Sequence, residues 1–199
     1  MYRRKDAFYR RAKAAGYRSR AAYKLLELNR SHRLIRPGDR IVDLGAWPGG
    51  WLQVAADVVG HHGRVIGVDL QPISPLPQPW VRSVFGDVRD ENVQSQITAA
   101  LGGLADVMLS DMAPKLSGVR DRDEARASEL VLLALAVARR LLRPGGRSVI
   151  KLFSGGSEGA LRSELERNFE TVRIARLQAT RKGSAEIYAL ASGYSGGQT

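Results

Sequence analysis

From Asp39 onward short apolar runs alternate with helical stretches, and this rhythm constrains the fold more than any other feature. Runs at 40–44, 64–70, 80–85, 105–110 and 147–153 read as strands, and stretches at 50–59, 91–101, 123–142 and 158–168 read as helices. Two further strands are expected at 171–177 and 185–191, joined by a turn that contains Gly183. Strands that alternate with helices close into an open, mostly parallel sheet with helices on both faces. The expectation is therefore an α/β fold on a seven-stranded sheet, ending in an antiparallel hairpin. Ligands of such sheets bind beyond the carboxyl ends of the strands, near the switch in strand order.

Composition removes several classes of function. The chain has 199 residues, a length that suits one domain. Its longest apolar run, Leu130 to Ala138, is far short of the roughly 20 residues of a membrane-spanning helix. There is no cysteine, which excludes disulfides, zinc–thiolate sites and thiol nucleophiles. Three histidines, two of them the neighbours His61 and His62, do not make a metal site, and none is expected.

The net charge of +11 is uneven. Residues 1–40 hold thirteen Lys and Arg against Asp6, Glu27 and Asp39, or +10; the remainder is +1. A basic head on a near-neutral body suits a polyanion. Tyr2, Phe8, Tyr9, Tyr17 and Tyr23 are interleaved with its basic residues, a pairing that suits single-stranded or looped RNA. A solvated helix face with docked aromatics would give the same pattern, and an Arg-rich targeting segment is a further alternative. Against targeting, 19–29 reads as a structured helix with Ser19 as N-cap and Ala22, Leu25, Leu26 and Leu28 on one face. The expected organisation is a helical RNA-binding extension at 1–38, a catalytic domain at 39–192 and a flexible tail at 193–199.

The strand ends carry the chemistry. The first runs into Asp43-Leu-Gly-Ala-Trp-Pro-Gly-Gly-Trp51, where Gly45, Gly49 and Gly50 permit close backbone approach. The second ends at Asp69, placed to grip ribose hydroxyls; the third ends at Gly86-Asp87 and the fourth at Asp111-Met-Ala-Pro114. Each feature alone also reads as a turn or a helix cap. The Gly-rich turn is not G-x-G-x-x-G and no Gly-Lys-Ser/Thr follows, which disfavours a dinucleotide or ATP. A phosphate-free nucleoside with a positive centre fits better, and S-adenosylmethionine is one. Lys151 stands in a strand expected to be buried, where a lysine is costly unless paired. Asp111 and Glu186 are within topological reach. The arrangement is either a structural ion pair or the setting of a neutral amine base.

These residues resemble the FtsJ/RrmJ (RlmE) family of ribosomal RNA 2′-O-methyltransferases. The resemblance spans about Tyr9 to Leu190. It rests on Arg18-Ser-Arg-Ala-Ala-Tyr-Lys-Leu-Leu-Glu27, the Asp43 to Trp51 block, Ser110-Asp-Met-Ala-Pro114, Val149-Ile-Lys-Leu-Phe153 and Glu186-Ile-Tyr188. It implies a Rossmann-like class I S-adenosylmethionine-dependent methyltransferase with a tetrad on Lys24, Asp111, Lys151 and Glu186. By the same resemblance Gly45, Gly49, Trp51, Asp69, Asp87 and Asp111 line the cofactor site, with Asp69 on the ribose and Asp87 on the adenine amino group. The implied substrate is a uridine 2′-hydroxyl of large-subunit ribosomal RNA in the assembled subunit, with a cytoplasmic monomer as the enzyme.

Trp47, at a position usually small in the family, and Lys115, where Asn is common, depart from the pattern. The loop 180–184 is a loose match. Transfer RNA or messenger-RNA cap 2′-O-methylation, or a non-catalytic role in ribosome assembly, are the alternative functions. The short chain leaves no room for a separate cap-binding domain.

Overall fold

The computed structural model describes residues 7–115, 117–180 and 183–196, without the side chains of Ala7 and Tyr9. The outermost head residues, among them Tyr2, Arg3, Arg4 and Lys5, therefore lie outside the described residues, as do Arg181 and Lys182 of the 180–184 loop.

Seven strands form one sheet: β1 (Arg40–Leu44), β2 (Arg64–Asp69), β3 (Val81–Phe85), β4 (Ala105–Ser110), β5 (Leu142–Phe153), β6 (Phe169–Ala175) and β7 (Glu186–Tyr194). Their order is β3-β2-β1-β4-β5-β7-β6. The first five are parallel, and β7 lies antiparallel between β5 and β6. The helices are α1 (Ala7–Ala14), α2 (Ala22–His32), α3 (Gly50–Val59), α4 (Glu91–Leu101), α5 (Arg120–Leu141) and α6 (Glu158–Asn168).

Two apolar clusters follow from strand alternation. On one face Ile41, Val65, Val107, Leu109 and Val149 meet Leu25 and Leu28 of α2 and Leu52 and Val59 of α3. On the other, Val42, Leu44, Ile66, Met108 and Ile150 meet α4, α5 and α6 through Ile97, Leu135 and Leu165. No described helix is long and apolar enough to cross a membrane.

The head is part of this body. Leu25 and Leu28 are fully buried, and Arg147 of β5 grips Asp39 at 2.8 and 2.9 Å and donates to the Leu34 carbonyl. Packing is continuous across the expected boundary at residue 38. Ser19 does not cap a helix. Helix α2 begins at Ala22 after a turn, and it has no side-chain cap. The Ser19 hydroxyl lies against Gly50 instead, where a Cβ would sit 2.3 Å from Oγ.

The expected tail also starts too early. Strand β7 runs to Tyr194, whose ring is buried 5.3 Å from that of Phe169, and Ser195 donates its N–H to the Asn168 carbonyl. Strand β5 starts at Leu142, ahead of the expected 147. Leu142 pairs with Ala105 before an irregularity that lets Pro144 avoid the ladder.

Candidate active site

Strand β1 lies between β2 and β4, and the chain turns outward on both sides of it. The loops that leave β1, β2, β3 and β4 surround a cleft of about 780 Å³. Gly45, Trp47, Asp69, Gly86, Asp87 and Asp111 face it, and Leu132, Leu133 and Ala136 of α5 form an apolar wall. Gly45 adopts φ +75°, and a Cβ there would lie 2.8 Å from Met112 Cγ. A side chain would push the β1 and β4 loops apart.

The acids at the strand ends differ in how they are held. Asp69 accepts the Trp47 N–H on Oδ2 at 2.9 Å and the Gln71 N–H on Oδ1 at 2.8 Å. Its carboxylate is thereby fixed at the cleft. Asp87 forms a fork with Arg89 at 2.6 to 3.0 Å, and the Arg89 guanidinium holds its carboxyl below the usual carboxylate range. Asp43 is 1% exposed, and neither carboxylate oxygen has a hydrogen-bond partner. Burial, reinforced by Asp111 and Asp69, pushes its carboxyl well above the usual range.

Beside the cleft stands a compact charged cluster. Lys151 Nζ lies 2.8 Å from Asp111 Oδ1, 3.2 Å from the Asp111 carbonyl and 3.8 Å from Glu186 Oε2. Lys24, reaching in from α2, donates to Glu186 Oε1 and lies 3.9 Å from Asp111 Oδ1. Register explains the convergence: Lys151 pairs with Tyr188 and Phe153 with Glu186 across β5 and β7. Burial opposes ionisation of Glu186, but Lys151 and Lys24 outweigh it and hold the carboxyl below its ordinary range.

Tyr188 is the member that reading the sequence passed over. Its hydroxyl is 2.5 Å from Glu186 Oε1 and 2.8 Å from Asp111 Oδ1, and Lys24 Nζ donates to it at 3.1 Å. Burial, Asp111 and Glu186 drive the phenol far above its usual range, so the proton stays on oxygen. The available signal was spacing: residues 186 and 188 of a strand share a face.

Of the expected cofactor residues, Gly45, Asp69, Asp87 and Asp111 line the cleft; Gly49 and Trp51 do not. Trp51 is buried under Tyr188, with ring centroids 6.0 Å apart, and donates Nε1–H to the Ala21 carbonyl. At Gly49, φ +105°, a Cβ would lie 2.9 Å from the Arg18 guanidinium, so the two glycines before Trp51 admit the head. Arg18 itself donates to the Ser74 and Pro75 carbonyls at 2.5 and 2.7 Å. It fastens the Pro-rich loop, a role that residue type alone did not reveal.

A model of the family described as FtsJ-like methyltransferase matches residues 17–194. The chain belongs to the FtsJ-like methyltransferase family. A ribosomal RNA large subunit methyltransferase E of Methanoculleus marisnigri is 50% identical over 192 residues, which cover 96% of this chain and 93% of that protein. The enzyme of the same name from Methanothermobacter thermautotrophicus is 45% identical over 194 residues, 98% of this chain and 92% of the relative.

Among solved structures, a ribosomal RNA methyltransferase from Plasmodium falciparum superposes with TM-score 0.80 at 27% identity. It covers 90% of this chain and 100% of that one. Aeropyrum pernix fibrillarin, solved with S-adenosyl-L-methionine natively bound, shares the fold with TM-score 0.59 at 19% identity, over 88% of this chain and 75% of its own. All four tetrad positions and the cleft acids of this FtsJ-like chain lie within the matched span. Its cofactor is S-adenosylmethionine, and the cleft fits it: the fixed Asp69 carboxylate suits ribose hydroxyls, and the apolar wall suits a base.

Proposed function

We propose that this FtsJ-like methyltransferase modifies the 2′-hydroxyl of a uridine ribose in large-subunit ribosomal RNA, acting on the assembled subunit as a cytoplasmic monomer. The observation that carries this reading is the lysine held between two carboxylates at the edge of the cofactor cleft. Every member of that cluster comes from one chain, so the cluster is complete in a single copy. The names of the relatives support the ribosomal substrate.

Asp69 would hold the cofactor ribose and Asp87 its adenine amino group. When bound, S-adenosylmethionine supplies the electrophilic sulfonium methyl group, which leaves sulfur as the ribose O–C bond forms. The acceptor hydroxyl is a weak acid and needs a base. As an amine, Lys151 Nζ has two N–H donors and one lone pair. The Asp111 carboxylate and carbonyl take the two donors and leave the lone pair for the hydroxyl proton. The ammonium formed is then compensated by Asp111 and Glu186. Lys24 and Glu186 position the ribose, and Tyr188 ties the two carboxylates together. Alignment of the acceptor oxygen supplies much of the remaining rate.

Tritiated methyl transfer is to be measured on undermethylated large subunits, free transfer RNA and a capped transcript. Label is expected in the subunits. Label confined to transfer RNA or to the transcript would overturn the ribosomal assignment.

A further inference from the structure

Two cavities border the elements that carry the tetrad. The cofactor cleft, which Asp111 lines, is one; the other, of about 270 Å³, is lined by Pro114, Phe153 and Ala185, close in sequence to Asp111, Lys151 and Glu186. Helix α5 divides them. At 100° per residue Glu129, Leu133 and Ala136 lie on one side of the helix, and Glu124 and Ala127 on the other. The first set faces the cleft and the second faces the smaller cavity.

The rim of the second cavity continues the tetrad strands. Phe153 follows Lys151 by two residues and shares its face of β5, and Ala185 immediately precedes Glu186. Pro114 closes the segment that starts at Asp111. Phe153, half-buried after the buried run 146–152 of β5, lines the cavity. The carboxylates nearby are already engaged: Glu124 accepts the Ser157 N–H at 2.6 Å, and Asp123 accepts the Ser117 N–H at 2.7 Å. What faces a ligand is an aromatic ring, Pro114 and two alanines, with exposed Arg120 at the edge.

We propose that this cavity is the acceptor subsite: it takes the nucleobase of the nucleotide to be methylated, stacked on Phe153, with Arg120 toward an RNA phosphate. The inference rests on the 2′-O-methyltransferase reading. A hydroxyl at Lys151 with the cofactor in the cleft needs a separate place for its nucleoside, and this cavity begins two residues beyond Lys151 and one before Glu186. Its volume lies just below the roughly 300–1,000 Å³ of pockets for drug-sized ligands and suits a single ring system. An aromatic platform at the end of a strand holds a base without reading its edge, as single-stranded RNA sites do.

The test is steady-state methyl transfer by wild type, Phe153→Ala, Phe153→Tyr and Ala185→Trp, with S-adenosylmethionine affinity and melting temperature measured alongside. Phe153→Ala is expected to lower kcat/KM for RNA about 5- to 150-fold, the loss of one stacked base. Cofactor affinity should stay unchanged, and Phe153→Tyr should restore most of the activity. Ala185→Trp fills the cavity from an exposed position and decides the matter if Phe153→Ala fails to fold. It should impair RNA turnover with cofactor binding intact. Wild-type kcat/KM in folded Phe153→Ala, or in Ala185→Trp, would overturn the subsite while leaving the methyltransferase reading in place. If wild type modifies an RNA other than the large subunit, the ribosomal reading fails alone, and the same variants on that RNA decide the subsite. Absence of transfer to any RNA by wild type would overturn both.

Discussion

At the tetrad two lysines face two carboxylates within 3.9 Å, and a protonated tyrosine joins the carboxylates. At the adjoining cleft Asp69 is held by backbone N–H groups, and Asp43, buried in β1 two residues before the cleft-lining Gly45, has no hydrogen-bond partner. The two regions share Asp111. One is a set of mutually paired side chains assembled before substrate arrives. The other holds a buried acid whose ionisation no hydrogen bond supports. Burial is tolerable in the first because each charge has a partner, and costly in the second.

The comparison predicts effects of falling size. The largest is Lys151→Ala, which removes the base while Lys24 still faces both carboxylates. Methyl transfer should drop by about 10²- to 10⁴-fold, with S-adenosylmethionine affinity nearly unchanged by calorimetry. Substantial turnover in this variant would make the cluster structural.

Asp69→Ala should do the reverse. It weakens cofactor binding by about 10- to 100-fold, the loss of hydrogen bonds to a charged group, and leaves saturated turnover close to wild type. A fall confined to kcat would move Asp69 out of the binding role.

Tyr188→Phe keeps the ring packed on Trp51 and removes the hydroxyl that bridges Asp111 and Glu186 and accepts from Lys24. A drop of about 2- to 10-fold in kcat with KM unchanged is expected. Equal kcat would show that the lysines alone hold the carboxylates in place.

The smallest effect concerns pH and the ligand-free protein. Because the folded value of Asp43 is raised, folding takes up a proton there, and stability falls as pH rises from the ordinary carboxylate range through the raised one. Asp43→Asn removes that loss, so its melting temperature should decline less than wild type between about pH 5 and about pH 8. Parallel declines would show that Asp43 is not the group responsible.

Legibility in the sequence follows physical range. Strands β1 and β4 and helices α3, α4 and α6 lie where apolar patterning places them, because local periodicity reports local structure. Lys151, Asp111 and Glu186 were accessible as a polar group in a buried strand and two acids at neighbouring strand ends. Lys24 required the family resemblance, since nothing in its own helix marks it as buried. Arg18 and the second glycine before Trp51 stayed hidden for a different reason. Their partners are backbone carbonyls and the Ser19 hydroxyl, far away in sequence and silent in composition. The basic head divides accordingly. Lys24 serves the tetrad, Arg18 the fold, and Arg20 donates to the Ala179 carbonyl at 2.9 Å.

The central claim is that the tetrad acts on a ribose 2′-oxygen. The most direct measurement is alkaline hydrolysis of ribosomal RNA labelled by the wild-type enzyme with tritiated S-adenosylmethionine. A 2′-O-methyl group blocks cleavage of the adjacent phosphodiester, so the label should appear in an alkali-stable dinucleotide led by uridine and be absent with Lys151→Ala. Label released in mononucleotides would place the methyl group on a base and contradict the account.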